Sequence, residues 1–190
     1  MTYSGIKLNK DLIGNLMLFL AEKCQPLCQT KLLKLLYFVD EESTRRYGTP
    51  ITWLSYRVWK LGPVAQDVFF CKYPGTNRFS EYVKFDCQGN TCFVKPVTTF
   101  NNSEFSDLDM KLVSHVVEKY GHLSARQLVA LTHKKGSLWS NTKEKEHITF
   151  TTDNNTSEAE LDFSELLDDG MKKTIYYNAL ESKLMESGIC

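Results

Sequence analysis

The stretch from Thr30 to Phe69, TKLLKLLYFVDEESTRRYGTPITWLSYRVWKLGPVAQDVF, constrains the fold more than any other part of the chain. From Leu32 the apolar residues recur at three- and four-residue spacing (Leu32, Leu35, Leu36, Val39), while Lys34, Asp40, Glu41, Glu42, Arg45 and Arg46 fall largely on other faces. That period predicts an amphipathic core helix. Arg45 and Arg46 suit the negative end of its dipole, Gly48 can take the left-handed conformation after it, and Pro50 forbids continuation, so the helix ends near Tyr47. Ile51 to Trp59 is rich in β-branched and aromatic residues and predicts a strand. Gly62-Pro63 then opens a further helix, with Pro63 at the first helical position, where its missing N–H costs nothing.

This order of elements carries a resemblance. The run KLLYFVDEESTRRYGTPITWLSYRVWKLGPVAQDVF resembles the signature of the Panacea (SocA-like) antitoxin domain family: a KLLYF-type helix, a G-x-P-[IL]-T turn, and an aromatic strand leading into W-x-x-GPV. Farther on, LSARQLVALTHKKGSLW resembles the closing helix of that family, with Leu128, Thr132, His133 and Trp139 at the expected spacing. The likeness covers roughly Thr30 to Trp139.

Lysine plus arginine equals aspartate plus glutamate at 23 each, so no global field attracts nucleic acid or an anionic membrane. The apolar Leu12 to Leu20 segment is interrupted by Asn15 and followed by Glu22 and Lys23, too short for a membrane span and without a leader-type cleavage site. A cytoplasmic protein is expected. Of the six cysteines, at 24, 28, 71, 87, 92 and 190, the pairs Cys24/Cys28 and Cys87/Cys92 offer four thiolates, but neither has the usual two-residue spacing of a zinc site. Burial as small hydrophobes is the stronger reading, and no metal or other cofactor is expected. A Gly89-Asn90 turn would set Cys87 opposite Cys92 in a hairpin, able to bridge under oxidation, though a cytosol would keep them reduced.

Elsewhere, Asn9 caps a first helix from about Lys10 to Lys23, and Pro26 ends it. A short helix follows Pro63 and stops before Pro74-Gly75. Tyr82 to Val97 alternates as a β-hairpin. Ser106 with Asp109, and Ser124 with Gln127, form capping boxes for two consecutive helices. Ser157 with Glu160 predicts a short acidic helix ending at Gly170, and Met171 to Met185 regains a helical stripe. Residues 1–29 are thus an N-terminal helix packed on the domain, 30–140 the Panacea-like domain, and 141–190 a connector and C-terminal helices of the same globule. The fold class is α+β: a mainly helical single domain with a small antiparallel sheet made from strand 51–59 and the hairpin 82–97.

For chemistry the chain offers four histidines (115, 122, 133, 147) without a partner motif, and no G-x-x-x-x-G-K, G-x-G-x-x-G, H-E-x-x-H or G-x-S-x-G. No enzyme is expected, and His133 is assigned a structural hydrogen bond. Trp53, Tyr56, Arg57, Trp59 and Lys60 are residue types that anchor protein interfaces, though they are equally ordinary core and rim residues. The resemblance implies that they contribute to binding a cognate protein toxin, with Trp53 and Tyr56 on the more exposed face. It implies a structural role for Tyr37, Gly48, Pro50, Gly62, Pro63, His133 and Trp139. The function implied is that of an antitoxin masking its toxin. Two alternatives stay open: an adaptor handing the toxin to a protease, and a DNA-binding repressor using the two capped helices, which the balanced charge argues against.

Overall fold

The computed structural model describes residues 5–188. Helix α1 (Lys10–Lys23) begins where the Asn9 side chain accepts the N–H groups of Asp11 and Leu12, and it is buried at every position from Ile13 to Ala21. Helix α2 (Gln29–Tyr47) ends at Gly48, whose φ of 86° is the left-handed cap expected there. A hairpin follows, β1 (Tyr56–Trp59) with β2 (Gly62–Ala65), then a short helix α3 (Gln66–Phe69) and a 3-10 turn at Phe70–Lys72. The second hairpin pairs β3 (Val83–Gln88) with β4 (Thr91–Pro96), and four helices complete the chain: α4 (Asp107–Tyr120), α5 (Ala125–Thr132), α6 (Leu138–Lys145) and α7 (Gly170–Glu186). A second 3-10 turn, Phe163–Leu166, precedes α7.

The class is α+β, as expected, but the single sheet expected from 51–59 and the hairpin 82–97 is, among the described residues, two separate two-stranded antiparallel sheets, because Tyr56–Trp59 pairs with Gly62–Ala65 instead. Three further details of the expectation change. The strand expected over 51–59 is confined to Tyr56–Trp59, because Trp53 has a φ of 55° and breaks the extended run. Gly62-Pro63 opens a strand, not a helix: Trp59 pairs with Gly62 and Val58 with Pro63, leaving Lys60-Leu61 as the turn. β2 pairs only with β1, so it is an edge strand on which a residue without an N–H is tolerated. The acidic helix expected after Ser157 is absent. The Ser157 hydroxyl donates instead to the Val58 carbonyl at 2.6 Å, and Glu160 bridges to Arg57 alongside β1.

α2 is the centre of the packing. It touches α1, α4, α5, β2, β4 and the Phe163–Leu166 turn, and Leu32, Leu35, Leu36 and Val39 are fully buried. Each such side chain contributes about 1.5–3 kcal/mol on burial. Both capping boxes form, at Ser106–Asp109 and Ser124–Gln127, and the C-terminal helix docks on its own chain through Tyr176 and Leu180, with the Tyr176 ring 5.8 Å from Trp53. Cys87 and Cys92 face each other across the Gly-Asn turn and are disulfide-bonded. Cys24 and Cys71 are buried free thiols, and Cys190 lies outside the described residues. Among the described residues no helix is long and apolar enough to cross a membrane.

Candidate functional site

α2 carries three buried charges, Lys31, Lys34 and Asp40, of which the amphipathic pattern had set the last two on its polar faces; Lys31 donates to the Gly121 carbonyl at 2.6 Å. Asp40 is wholly buried and Lys34 is 1% exposed. One carboxylate oxygen of Asp40 accepts the N–H groups of Ile51 (2.9 Å) and Thr52 (2.8 Å), and the other accepts the hydroxyls of Tyr56 (2.8 Å) and Thr52. These bonds fold the 51–56 segment back onto the helix. Burial still outweighs them and pushes the Asp40 carboxyl up to about 6.

Two turns away along α2, Lys34 reaches the other end of the same segment. Its ammonium donates to the Pro63 carbonyl at 2.6 Å, an acceptor left over because β2 is an edge strand. Among the described residues no carboxylate pairs with it, and burial pulls its pKa down to about 7. Gly62 makes this approach possible. A β-carbon there would stand 2.4 Å from the Thr132 hydroxyl and 3.0 Å from Lys34 Cε, and the φ of 95° is left-handed.

The hairpin turn is held from α5 and α6 as well. Trp139 Nε1 donates to the Trp59 carbonyl at 3.1 Å, and His133 lies edge-on to Trp139 with ring centroids 4.0 Å apart. Burial, with the nearby Lys34 charge, lowers the His133 pKa, while a hydrogen bond at the Lys60 backbone opposes this. The Lys60 N–H in turn donates to Asn155 at 2.9 Å.

Beside this turn opens a groove of about 500 Å³, walled by Leu33, Val64, Trp59 and Phe69 and floored by Lys34, with Lys60 at its rim. Trp59 is half-buried, and its Nε1 has no hydrogen-bond partner among the described residues. Its ring meets Phe69 at 4.8 Å, Phe69 meets Phe70, and Phe70 meets Tyr73, while Lys72 sits over Phe69 at 4.1 Å. Leu61, Phe70 and Tyr73 are 58%, 44% and 48% exposed, so the groove continues into an uncovered aromatic surface. Contiguous surface of this kind marks interaction sites, and tryptophan and tyrosine commonly anchor them.

The five interface candidates therefore separate. Trp53 (8% exposed) and Tyr56 (0%) are core residues, contrary to the expectation of an exposed face: the left-handed turn at Trp53 swings its ring under α7, and the Tyr56 hydroxyl is committed to Asp40. Arg57 is held by Glu160 at 3.0 Å. Only Trp59 and Lys60 border the groove. Of the signature residues, Tyr37 packs edge-on against Tyr56, Gly48 caps α2, Pro50 is buried, and Gly62, Pro63, His133 and Trp139 all meet at the hairpin turn. Lys34, Asp40 and Phe69 were missed as site residues. The available signal was the apolar character of Leu33, Tyr37 and Phe38 on the faces between the main stripe, since a helix apolar all round is buried all round and takes its charges with it.

The chain belongs to the antitoxin SocA-like, Panacea domain family, whose model matches residues 32–140, more than half of the chain. The matched span contains Lys34 and Asp40 of α2, the Trp59–Gly62 turn and the helices that hold it. No curated protein and no solved structure matches.

Proposed function

We propose that the protein is an antitoxin that neutralises a cognate toxin by direct protein–protein binding, without catalytic turnover. Membership of the SocA-like antitoxin family carries this reading. The uncovered aromatic surface from Trp59 through Phe70 to Tyr73, flanked by Lys60 and Lys72, supports it as the place where a partner docks. An interface built this way buries aromatic anchors at its centre and leaves the cations toward its polar rim.

Co-expression with the neighbouring toxin gene, followed by affinity capture, tests the proposal. Growth is rescued and the two proteins are recovered together in a fixed ratio, with toxin levels unchanged. Rescue by substoichiometric antitoxin with no complex would overturn stoichiometric masking, and disappearance of the toxin would point to delivery to a protease.

A further inference from the structure

We propose that the groove beside Trp59 receives an acidic, apolar segment of the toxin, with an apolar side chain between Leu33, Val64 and Phe69 and a neighbouring carboxylate on the Lys34 ammonium. The proposal rests on the antitoxin reading and adds what the partner must present. Its first support is an imbalance of charge at the groove floor. An ammonium has three N–H donors, and Lys34 uses one of them on the Pro63 carbonyl, with no countercharge among the described residues. Buried charges are ordinarily paired. Asp40, on the same helix, has both carboxylate oxygens occupied, whereas Lys31, also buried, donates to one carbonyl, that of Gly121, as Lys34 does to that of Pro63.

The second support is the lining. Lys34 and Lys60 are the charged side chains of the groove, and no acidic residue joins them. Among the other clefts, one brings Lys10 and Arg78 together with Asp67, and another, along α4, sets Lys111 among Asp107 and Glu118; the cleft between Pro26 and β4 also holds lysines without an acid, Lys84 and Lys95, but both are exposed, whereas Lys34 is buried. Cation and apolar walls together fit a carboxylate beside an apolar side chain.

A protein segment fits better than a free anion or a nucleic acid. The apolar surface runs on past the groove through Leu61, Phe70 and Tyr73, farther than a small anion would cover, and the chain as a whole has no positive field to gather phosphates.

The test uses the full chain and, as probe, the purified protein encoded by the neighbouring toxin gene, titrated by calorimetry. Leu61→Glu places a carboxylate at the groove mouth on an exposed turn, Leu108→Glu makes the same change on the exposed start of α4, and Lys34→Met removes the floor cation. Leu61→Glu and Lys34→Met should each weaken toxin binding by at least about tenfold, and Leu108→Glu should change it by less than about twofold. If the wild-type chain binds the toxin and Leu61→Glu, with an unchanged melting temperature, binds it equally well, the groove is not the docking site while the antitoxin reading stands. If the wild-type chain binds no toxin, that reading falls and takes this inference with it. Competition of the toxin by inorganic pyrophosphate or a single-stranded oligonucleotide would overturn the assigned chemistry in favour of a phosphate ligand.

Discussion

Two of the buried charges of α2, Asp40 and Lys34, grip the two ends of the 51–63 segment, and they are treated in opposite ways. Asp40 is saturated: two backbone N–H groups and two hydroxyls converge on it, and nothing near it is open. Lys34 has a single acceptor and lies at the floor of a groove whose rim is exposed. A charge closed in by its own chain organises structure, whereas one left with spare donors beside an uncovered apolar surface is suited to a partner. The same helix thus fixes the 51–56 turn at Asp40 and sets Lys34 at the floor of the groove.

Removing Asp40 should have the largest effect on stability. Asp40→Ala strands two N–H groups and two hydroxyls in the core and should lower unfolding free energy by about 3–5 kcal/mol in urea titrations. A loss below about 1 kcal/mol would break the contrast by showing that the 51–56 turn holds itself. Trp53→Ala and Tyr56→Ala belong with it, since both rings are buried. Next comes Gly62→Val, which meets both a left-handed φ and the Thr132 hydroxyl, and should cost about 1–3 kcal/mol.

The pH dependence of stability sharpens the comparison further. Lys34 titrates near 7 when folded and near 10.5 when unfolded, so across that interval the unfolded chain holds more protons. Its contribution to stability is therefore present above 10.5 and lost as pH falls through 7. Asp40 runs the other way: its folded carboxyl is raised from 3.8 to about 6, so its contribution is present below 3.8 and lost as pH rises through 6. Wild type minus Lys34→Met should show a stability difference that grows in favour of wild type from pH 7 toward 10, and wild type minus Asp40→Asn one that declines between pH 4 and 6. Flat difference curves would mean that neither charge is held as described. Leu61→Glu should have the smallest effect on stability, within about 0.5 kcal/mol, since the residue is on an exposed turn.

How much of this was legible in the sequence depends on whether the signal was local. Caps were, because a side chain and the N–H groups it accepts lie within one turn: Asn9, both capping boxes and Gly48 stand where the residue types require. The Tyr82–Val97 hairpin was legible from alternation and Gly89-Asn90. The β1–β2 hairpin was not, because its turn is Lys60-Leu61, without the usual glycine or asparagine, and its glycine falls one position later. Helix α6 is polar and short, and its period was hidden behind Gly136. Ser157 and Glu160 had the spacing of a capping box but were claimed by β1, a tertiary contact that no local pattern announces. The site failed in the same way. Trp59 and Lys60, named as interface candidates by residue type, border the groove, while Lys34 has the pattern of one more solvated lysine and is buried only because the hairpin covers it.

That Lys34 is buried without a countercharge while Asp40 is saturated can be checked in one measurement: the titration of the Lys34 side chain, followed by NMR at its Cε in the full chain without partner, with Lys34→Met to assign the signal. A midpoint near 7 bears out an uncompensated cation at the groove floor, and an ordinary midpoint near 10.5 would show that the lysine is solvated or paired and that the contrast along α2 does not exist.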